Sequence, residues 1–301
     1  MGISKQSLAF LLSEQAYRPI TGRFLCIGKH TVNVPPDTLF GLLEAHDIPT
    51  GQVKESLARG ERDTKTRHAG LSVYDHDLIA AISGGKAEYN CLDVSDYEGA
   101  DIIQDMTRPI SDALEGQFDF IYNGSCMDNI FDPVSFIKNT SRMLKPGGRV
   151  IHVEGVCAVA GAYLMFSPEW FFSYYAVNDF VDCKVYATVA RESSNHPTIF
   201  DATLFHWRPY FTRNPDYDYI EACKSVNGLM HVMIVAEKGP DSASDRNPMQ
   251  SHYLGEKDVD WREKYADFSR SGRPLLRAPR RRAETVLPLL TDHFEYLGDG
   301  L

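Results

Sequence analysis

No stretch of this 301-residue chain approaches the roughly 18 uninterrupted apolar residues of a membrane-spanning helix, so no membrane partner is expected. The N-terminal run Ser7-Leu8-Ala9-Phe10-Leu11-Leu12 is too short and too poorly flanked for a signal peptide, which makes a cytoplasmic location the default. Positive charge is scarce as well. A formal net charge of -10 argues against general contact with nucleic acid or anionic lipid, and the short run Arg280-Arg281-Arg282 reads as a solvated helix or loop end. The 6 cysteines, at positions 26, 91, 126, 157, 183 and 223, form no CxxC pair and lie mostly inside apolar, strand-like runs. Reduced core thiols are therefore expected in place of a zinc site or disulfides. There is no internal repeat. What the chain does have is 43% hydrophobic residues, enough to pack the core of a soluble globular protein with one large domain or a domain and an extension.

The apolar residues fall into an alternating pattern. A helix over Lys5 to Tyr17 precedes a strand over Arg23 to Gly28, and Pro35-Pro36 suits the first turn of a helix reaching Ala45. Positions 47–74 are charged and without a clear period, as in an exposed insertion. Asp75 to Ser83 reads as a helix closed by Gly84-Gly85, feeding a strand over Ala87 to Val94. Ala100 to Gln104 and Phe118 to Tyr122 read as two further strands. In "RMLKPGGRVIHVEG", Arg142 to Gly155, the Lys145-Pro146-Gly147-Gly148 turn ends a helix and releases a β-branched strand at Val150 to Val153. Strands alternating with helices at this spacing predict right-handed crossovers and a doubly wound, mostly parallel sheet. Ser167-Pro168 starts another helix. Cys183 to Ala190 and Leu229 to Ala236 then form an antiparallel edge, and helices around Asp258 to Ser269 and Ala283 to Leu290 follow a Pro/Ser/Asp/Arg-rich segment. The expected division is a domain over 1–240 and a C-terminal extension over 241–301.

Ligands of an open parallel sheet sit at the carboxyl ends of its strands, near the point where strand order reverses. The residues placed there are Gly28, Lys29 and His30; Asp93; Asp105 and Met106; Asn123, Gly124 and Ser125; and Glu154 and Gly155. An acid ending the second strand can accept both hydroxyls of a ribose, and one ending the third can accept the exocyclic amine of an adenine. His152 alternates into a strand interior and reads as a satisfied core histidine. The aromatics Tyr163, Phe166, Trp170, Phe171, Phe172, Tyr174 and Tyr175 are too many for one helix face, so some are expected to wall a substrate pocket.

"FDFIYNGSCMDNIFDPVSFIKNTSRMLKPGGRVIHVEG" resembles the fourth strand, helix and fifth strand of class I S-adenosylmethionine-dependent methyltransferases, and "CLDVSDYEGADIIQDMT" resembles their second and third strand ends. "GAYLMFSPEWFFSYYAVNDF" is similar to a turn and helix of a bacterial small-molecule branch. The resemblance covers roughly Arg23 to Glu237. It implies a Rossmann-like, seven-stranded sheet, with S-adenosyl-L-methionine as cofactor. By position, Gly28 would approach the methionine part, Asp93 would hold the ribose, Asp105 and Met106 would frame the adenine, and Asn123 would face the sulfonium. Lys29 and Gly124 complete the implied cofactor set. One departure stands out. The family's acid-x-Gly-x-Gly-x-Gly loop is here Cys26-Ile27-Gly28-Lys29-His30-Thr31-Val32, and Gly28 to Asp93 spans far more than the roughly 20 positions of a simple βαβ unit.

The implied reaction moves a methyl group by in-line displacement to an oxygen or nitrogen of a small-molecule acceptor. Positioning can supply roughly 7–11 kcal/mol of such a barrier, so a general base is optional. The candidates are Glu154, Tyr163 in the following loop, and His206 in "DATLFHWRPY", which is equally readable as a surface histidine. Asp128-Asn129 is similar to a metal-binding pair of catechol-type methyltransferases, but no further acid completes a site, so no metal is expected. Nucleic acid is not an expected partner of so acidic a chain, and a homodimer stays open. Two alternatives share the sheet: a non-catalytic methyltransferase-like binding protein, suggested by the altered first loop, and an NAD(P)-dependent oxidoreductase, weakened by the absence of GxGxxG.

Overall fold

The computed structural model describes residues 2–59, 73–156, 162–192, 200–209, 229–249, 261–279 and 293–301. In chain order the elements are β1 (Gly2–Ile3), α1 (Lys5–Tyr17), β2 (Gly22–Ile27), β3 (Thr31–Val32), α2 (Pro36–Ala45), α3 (Gly51–Arg59), α4 (Asp75–Ser83), β4 (Ala87–Asp93), β5 (Ile102–Ile103) and β6 (Phe118–Gly124). Then come α5 (Pro133–Met143), β7 (Leu144–Gly155), α6 (Pro168–Val177), β8 (Asp182–Glu192), β9 (Phe200–Trp207), β10 (Leu229–Glu237), α7 (Trp261–Arg270) and β11 (Phe294–Asp299). The helix expected over 283–290 lies outside the described residues, as do Arg280-Arg281-Arg282, Cys157 and Cys223. Among the described residues no helix is long and apolar enough to cross a membrane.

Local signals set the helix ends. Ser4 caps α1 by accepting from the Ser7 amide, and Asp132 caps α5 by accepting from the Ser135 amide at 2.9 Å, with Pro133 in the first turn. Gly84, in the left-handed conformation at φ 61°, ends α4. Ser167 occupies the cap position of α6, but its hydroxyl makes no capping bond. The stretch from 47 to 59 is not wholly irregular, because α3 forms there.

One sheet of 9 strands, in the order β11-β9-β8-β10-β7-β6-β2-β4-β5, carries the fold. All of its strands except β9 and β10 run in the same direction. The expected count of seven strands is thus too low. β9 lies in the stretch between the two expected antiparallel strands and β11 beyond the last expected helix, places where no strand is expected from the sequence. The antiparallel pair is also placed differently: β10 inserts between β7 and β8, and the edge belongs to β11. β7 begins at Leu144, not at Val150, since the glycine turn itself pairs. Gly147 donates to Lys238 O at 2.6 Å and Lys238 donates to Gly148 O at 2.9 Å. These glycines lie at the amino end of β7, away from the ligand side.

Both faces of the sheet are buried, as a parallel sheet requires. Along β2, Phe24 and Cys26 join α1, α2 and α4 in one core, while Leu25 and Ile27 join α5, α6 and α7 in the other. A buried ionic cluster ties the chain ends to the sheet. Arg273 bonds Glu14 and Asp182 and reaches Glu237 at 2.8 Å, and Arg149 meets the same Glu14 at 2.9 Å. The segment read as an extension therefore supplies both an edge strand and the centre of this cluster.

Candidate functional site

Strand order reverses between β2 and β6. From β2 the chain winds outward to β4 and β5, and from β6 it winds the other way to β7, which opens a crevice at the carboxyl ends between them. Gly28 follows β2 with φ 75°, a conformation that costs glycine little, and its amide donates to Leu92 O at 2.7 Å. Lys29 holds its ammonium 4.7 Å above the Tyr74 ring.

The two strand-end acids are presented to solvent on neighbouring strands. Asp93 is half-buried; Oδ1 accepts from the Val94 amide at 2.6 Å, and its other oxygen has no hydrogen-bond partner among the described residues. Asp105 accepts from the Thr107 amide at 2.8 Å and the Thr107 hydroxyl at 2.7 Å, both on Oδ1, which holds its carboxyl below the usual range and leaves Oδ2 open. Apolar surface lies beside them. Val94 is 66% exposed and Tyr97 70% exposed, whereas Met106 is buried with its carbonyl fixed by Asn139 at 2.9 Å. Two open carboxylate oxygens next to exposed apolar side chains can hold a polar ligand with a flat apolar part.

Beneath the crevice runs a buried polar chain. Asn123 Oδ1 accepts from the Cys126 amide at 3.1 Å, which makes Nδ2 the donor to His152 Nδ1 at 2.9 Å and to Glu154 Oε1 at 2.6 Å. His152 is then protonated on Nε2 and donates to the Tyr175 hydroxyl at 2.7 Å, in keeping with burial that pushes its pKa down to about 3. Glu154 Oε2 accepts from the Asp128 amide at 3.1 Å. Burial, with Asp128 second, raises the Glu154 carboxyl well above its usual range. Ser125 sits at φ 64°, strained for a non-glycine residue, and donates to Asp128 Oδ2 at 2.6 Å. Asn129 donates to the other Asp128 oxygen at 2.6 Å, so the Asp128-Asn129 pair is spent on shaping this turn.

The base candidates are not brought together. Glu154 is fully buried and bonded to Asn123. Tyr163 is 67% exposed at the mouth, its amide donating to Asp128 O at 2.8 Å and its ring 4.8 Å from the exposed Phe131. His206 lies on β9, separated from β7 by β10 and β8, or about 14 Å at ordinary strand spacing. It is a buried histidine, not a surface one, stacked against Tyr265. Burial pushes its pKa down to about 4 from 6.5, so the unfolded chain binds a proton that the folded chain refuses between those values. Its contribution is complete above pH 6.5 and is lost as pH falls toward about 4. The stability difference between the wild-type protein and His206→Gln, from urea unfolding, should shrink over that interval; a constant difference would show an ordinary histidine.

The loop after β2 holds a cluster that the sequence pattern did not mark as a unit. Asp75, first residue of α4 and fully buried, accepts the His30 amide at 2.8 Å and the Tyr89 hydroxyl at 2.8 Å. Cys26 is buried beside them. The His30 ring packs edge-on to Tyr122 with centroids 5.0 Å apart and fills the space over Gly124. A Cβ on Gly124 would stand 2.7 Å from His30 Nε2 and 2.9 Å from Tyr122 Cε1. Gly124→Ala is therefore expected to cost about 1–3 kcal/mol, the range for overpacking; a thermal midpoint equal to wild type would show that His30 moves freely.

No family model matches this sequence, and no curated protein matches it. Solved structures share a distant likeness. Phosphoethanolamine N-methyltransferase 2 of Haemonchus contortus, in complex with phosphomonomethylethanolamine and S-adenosylhomocysteine, is 13% identical at TM-score 0.39, covering 78% of this chain and 53% of that one. This chain thus spans about half of that protein. A SAM-dependent methyltransferase from Archaeoglobus fulgidus is 10% identical at TM-score 0.38, covering 78% of this chain and 94% of that one. A possible histamine N-methyltransferase from Thermotoga maritima is 15% identical at TM-score 0.34, with coverages of 76% and 93%.

Proposed function

We propose that this protein binds S-adenosyl-L-methionine at the β2/β6 switch point and transfers its methyl group to an oxygen or nitrogen of a small-molecule acceptor. The observation that carries the reading is the pair Asp93 and Asp105 on adjacent strand ends, each with an oxygen left open beside exposed apolar side chains. That donor set fits the nucleoside half of the cofactor. Asp93 would accept the ribose hydroxyls, Asp105 the adenine amine, and Met106 and Val94 would border the ring; Gly28 and Lys29 would line the remaining approach, whereas Gly124 lies beneath the His30 ring. Asn123 is fully buried and already bonded, so its role is to hold the floor of the site together with Glu154.

When bound, the cofactor supplies a methyl group on an electrophilic sulfonium. The chain's own task is to position the acceptor and to keep water out. Of the three base candidates, Tyr163 alone is exposed, and with Phe131 it offers an aromatic surface to the acceptor. The net charge of -10 supports a small acceptor over a nucleic acid.

A non-catalytic binding protein is the second reading, favoured by His30, whose ring takes the space over Gly124 in a loop that resembles a cofactor loop. Calorimetric titration with S-adenosyl-L-methionine and with NAD separates the readings, followed by a search for acceptors gaining the mass of one methyl group. Binding of the sulfonium compound and not of NAD is expected. Absence of heat with S-adenosyl-L-methionine, from protein shown to be folded, would sink the methyl-transfer reading; binding without any methylated product favours the second.

A further inference from the structure

His30 keeps both ring nitrogens in the interior, at 1% exposure, without a hydrogen-bond partner among the described residues. An imidazole has one donor and one acceptor when neutral, and each buried polar atom left unpaired costs stability. The surroundings are not apolar. Cys26 Sγ, an imidazole nitrogen of His30 and a carboxylate oxygen of Asp75 all lie within 4.8 Å of one another, and all three residues are buried. His30 Nδ1 stands 3.6 Å from Asp75 Oδ2, too far for a hydrogen bond. Asp75 is fixed from behind by the Tyr89 hydroxyl and the His30 amide, the kind of outer support that orients a metal ligand.

We propose that Cys26, His30 and Asp75 form a buried site for one divalent cation of the zinc type. Sulfur, imidazole nitrogen and carboxylate oxygen together are the ligand set of zinc, while a thiolate disfavours magnesium and calcium. Cys91 lies opposite Cys26 in the β2–β4 register and is itself buried, which puts a second thiol next to the site. The ion would pin the loop after β2 to the start of α4. That bond would replace the loop glycines missing from this chain as the device that shapes the loop, and it would give a buried ring with no hydrogen-bond partner among the described residues a ligand beside a thiol and an acid. On loading, a bond forms between the ion and Cys26 Sγ and the thiol proton leaves to solvent, one proton for each ion bound; His30 enters as neutral imidazole and Asp75 as carboxylate. The inference is independent of the proposed methyl transfer.

The test is titration of the metal-free full-length chain with Co²⁺, then displacement by Zn²⁺. Expected is one Co²⁺ per chain with a thiolate-to-cobalt absorption band in the near ultraviolet, lost on adding Zn²⁺. Cys26→Ala should abolish the band, His30→Gln and Asp75→Asn should each weaken binding at least tenfold, and Cys183→Ala, a buried thiol on β8, should leave it intact. Zn²⁺ should raise the thermal midpoint of wild type and not that of Cys26→Ala. Because Asp75 also orders the loop, Cys26→Ala is the deciding variant should Asp75→Asn fail to fold. Folded wild-type protein that takes up no Co²⁺, or a band unchanged in Cys26→Ala, would overturn the site.

Discussion

Arg273→Ala is expected to remove about 3–5 kcal/mol of folding stability, the cost of breaking a buried ion pair from one side. The guanidinium is 2% exposed at its side chain and serves Glu14, Asp182 and Glu237, on α1, β8 and β10, while lying 4.5 Å above the Tyr17 ring. Burial pulls its pKa down, and Glu14 and Asp182 more than reverse the effect. Truncation would leave these carboxylates sharing Arg149, Lys184 and Arg18. Against a total stability of about 5–15 kcal/mol the loss is large. Arg273→Lys should recover only part of it, since one ammonium cannot span three carboxylates as a planar fork does. Urea unfolding with an unchanged slope reads the shift directly; a loss under about 1 kcal/mol would place the network among solvated surface pairs.

Asp93→Ala should weaken binding of S-adenosyl-L-methionine by about 2 kcal/mol or more, roughly thirtyfold, with little change in stability. The reasoning rests on its position. Asp93 ends β4, carries one oxygen without a partner among the described residues, and is half-buried, so hydrogen bonds to it are stronger than those of a fully solvated acid. Its one bond in the fold, to the adjacent Val94 amide, is a local turn contact whose loss costs little. Asp96→Ala, an exposed acid in the same loop, serves as the control. Equal affinities for wild type and Asp93→Ala would remove the ribose assignment. Together with the Co²⁺ titration, this variant distinguishes a loop shaped by a metal from a crevice shaped for a nucleoside, because each measurement can fail alone.

The helices were legible where local rules act. Pro35-Pro36 at the start of α2 and Gly84-Gly85 at the end of α4 mark ends through backbone constraints within a few residues, and α1, α2 and α4 fall where periodicity and these signals place them. The parallel strands β2, β4, β6 and β7 were legible as β-branched or apolar runs between those helices. β9 was not: it pairs with β8, just before it in the chain, but its other neighbour, β11, comes from a distant part of the chain, and no local pattern encodes that pairing. The identity of the residues at the strand ends was likewise readable. Their states were not: Glu154 became a bonded interior group, His206 a buried ring three strands from β7, and Tyr163 an exposed aromatic.

The sequence by itself determined the alternation of strands and helices, the acids ending β4 and standing just beyond β5, and the glycine turn that opens β7, all properties of short segments governed by propensity and backbone freedom. Only the tertiary structure decided which polar groups meet. Cys26 and Asp75 are far apart in the chain and carry no spacing signal, yet pairing β2 with β4 and docking α4 against them brings thiol, imidazole and carboxylate together in one buried cluster. Side-chain proximity depends on strand order and packing, which arise from the whole chain's burial of apolar surface, and no local pattern encodes it.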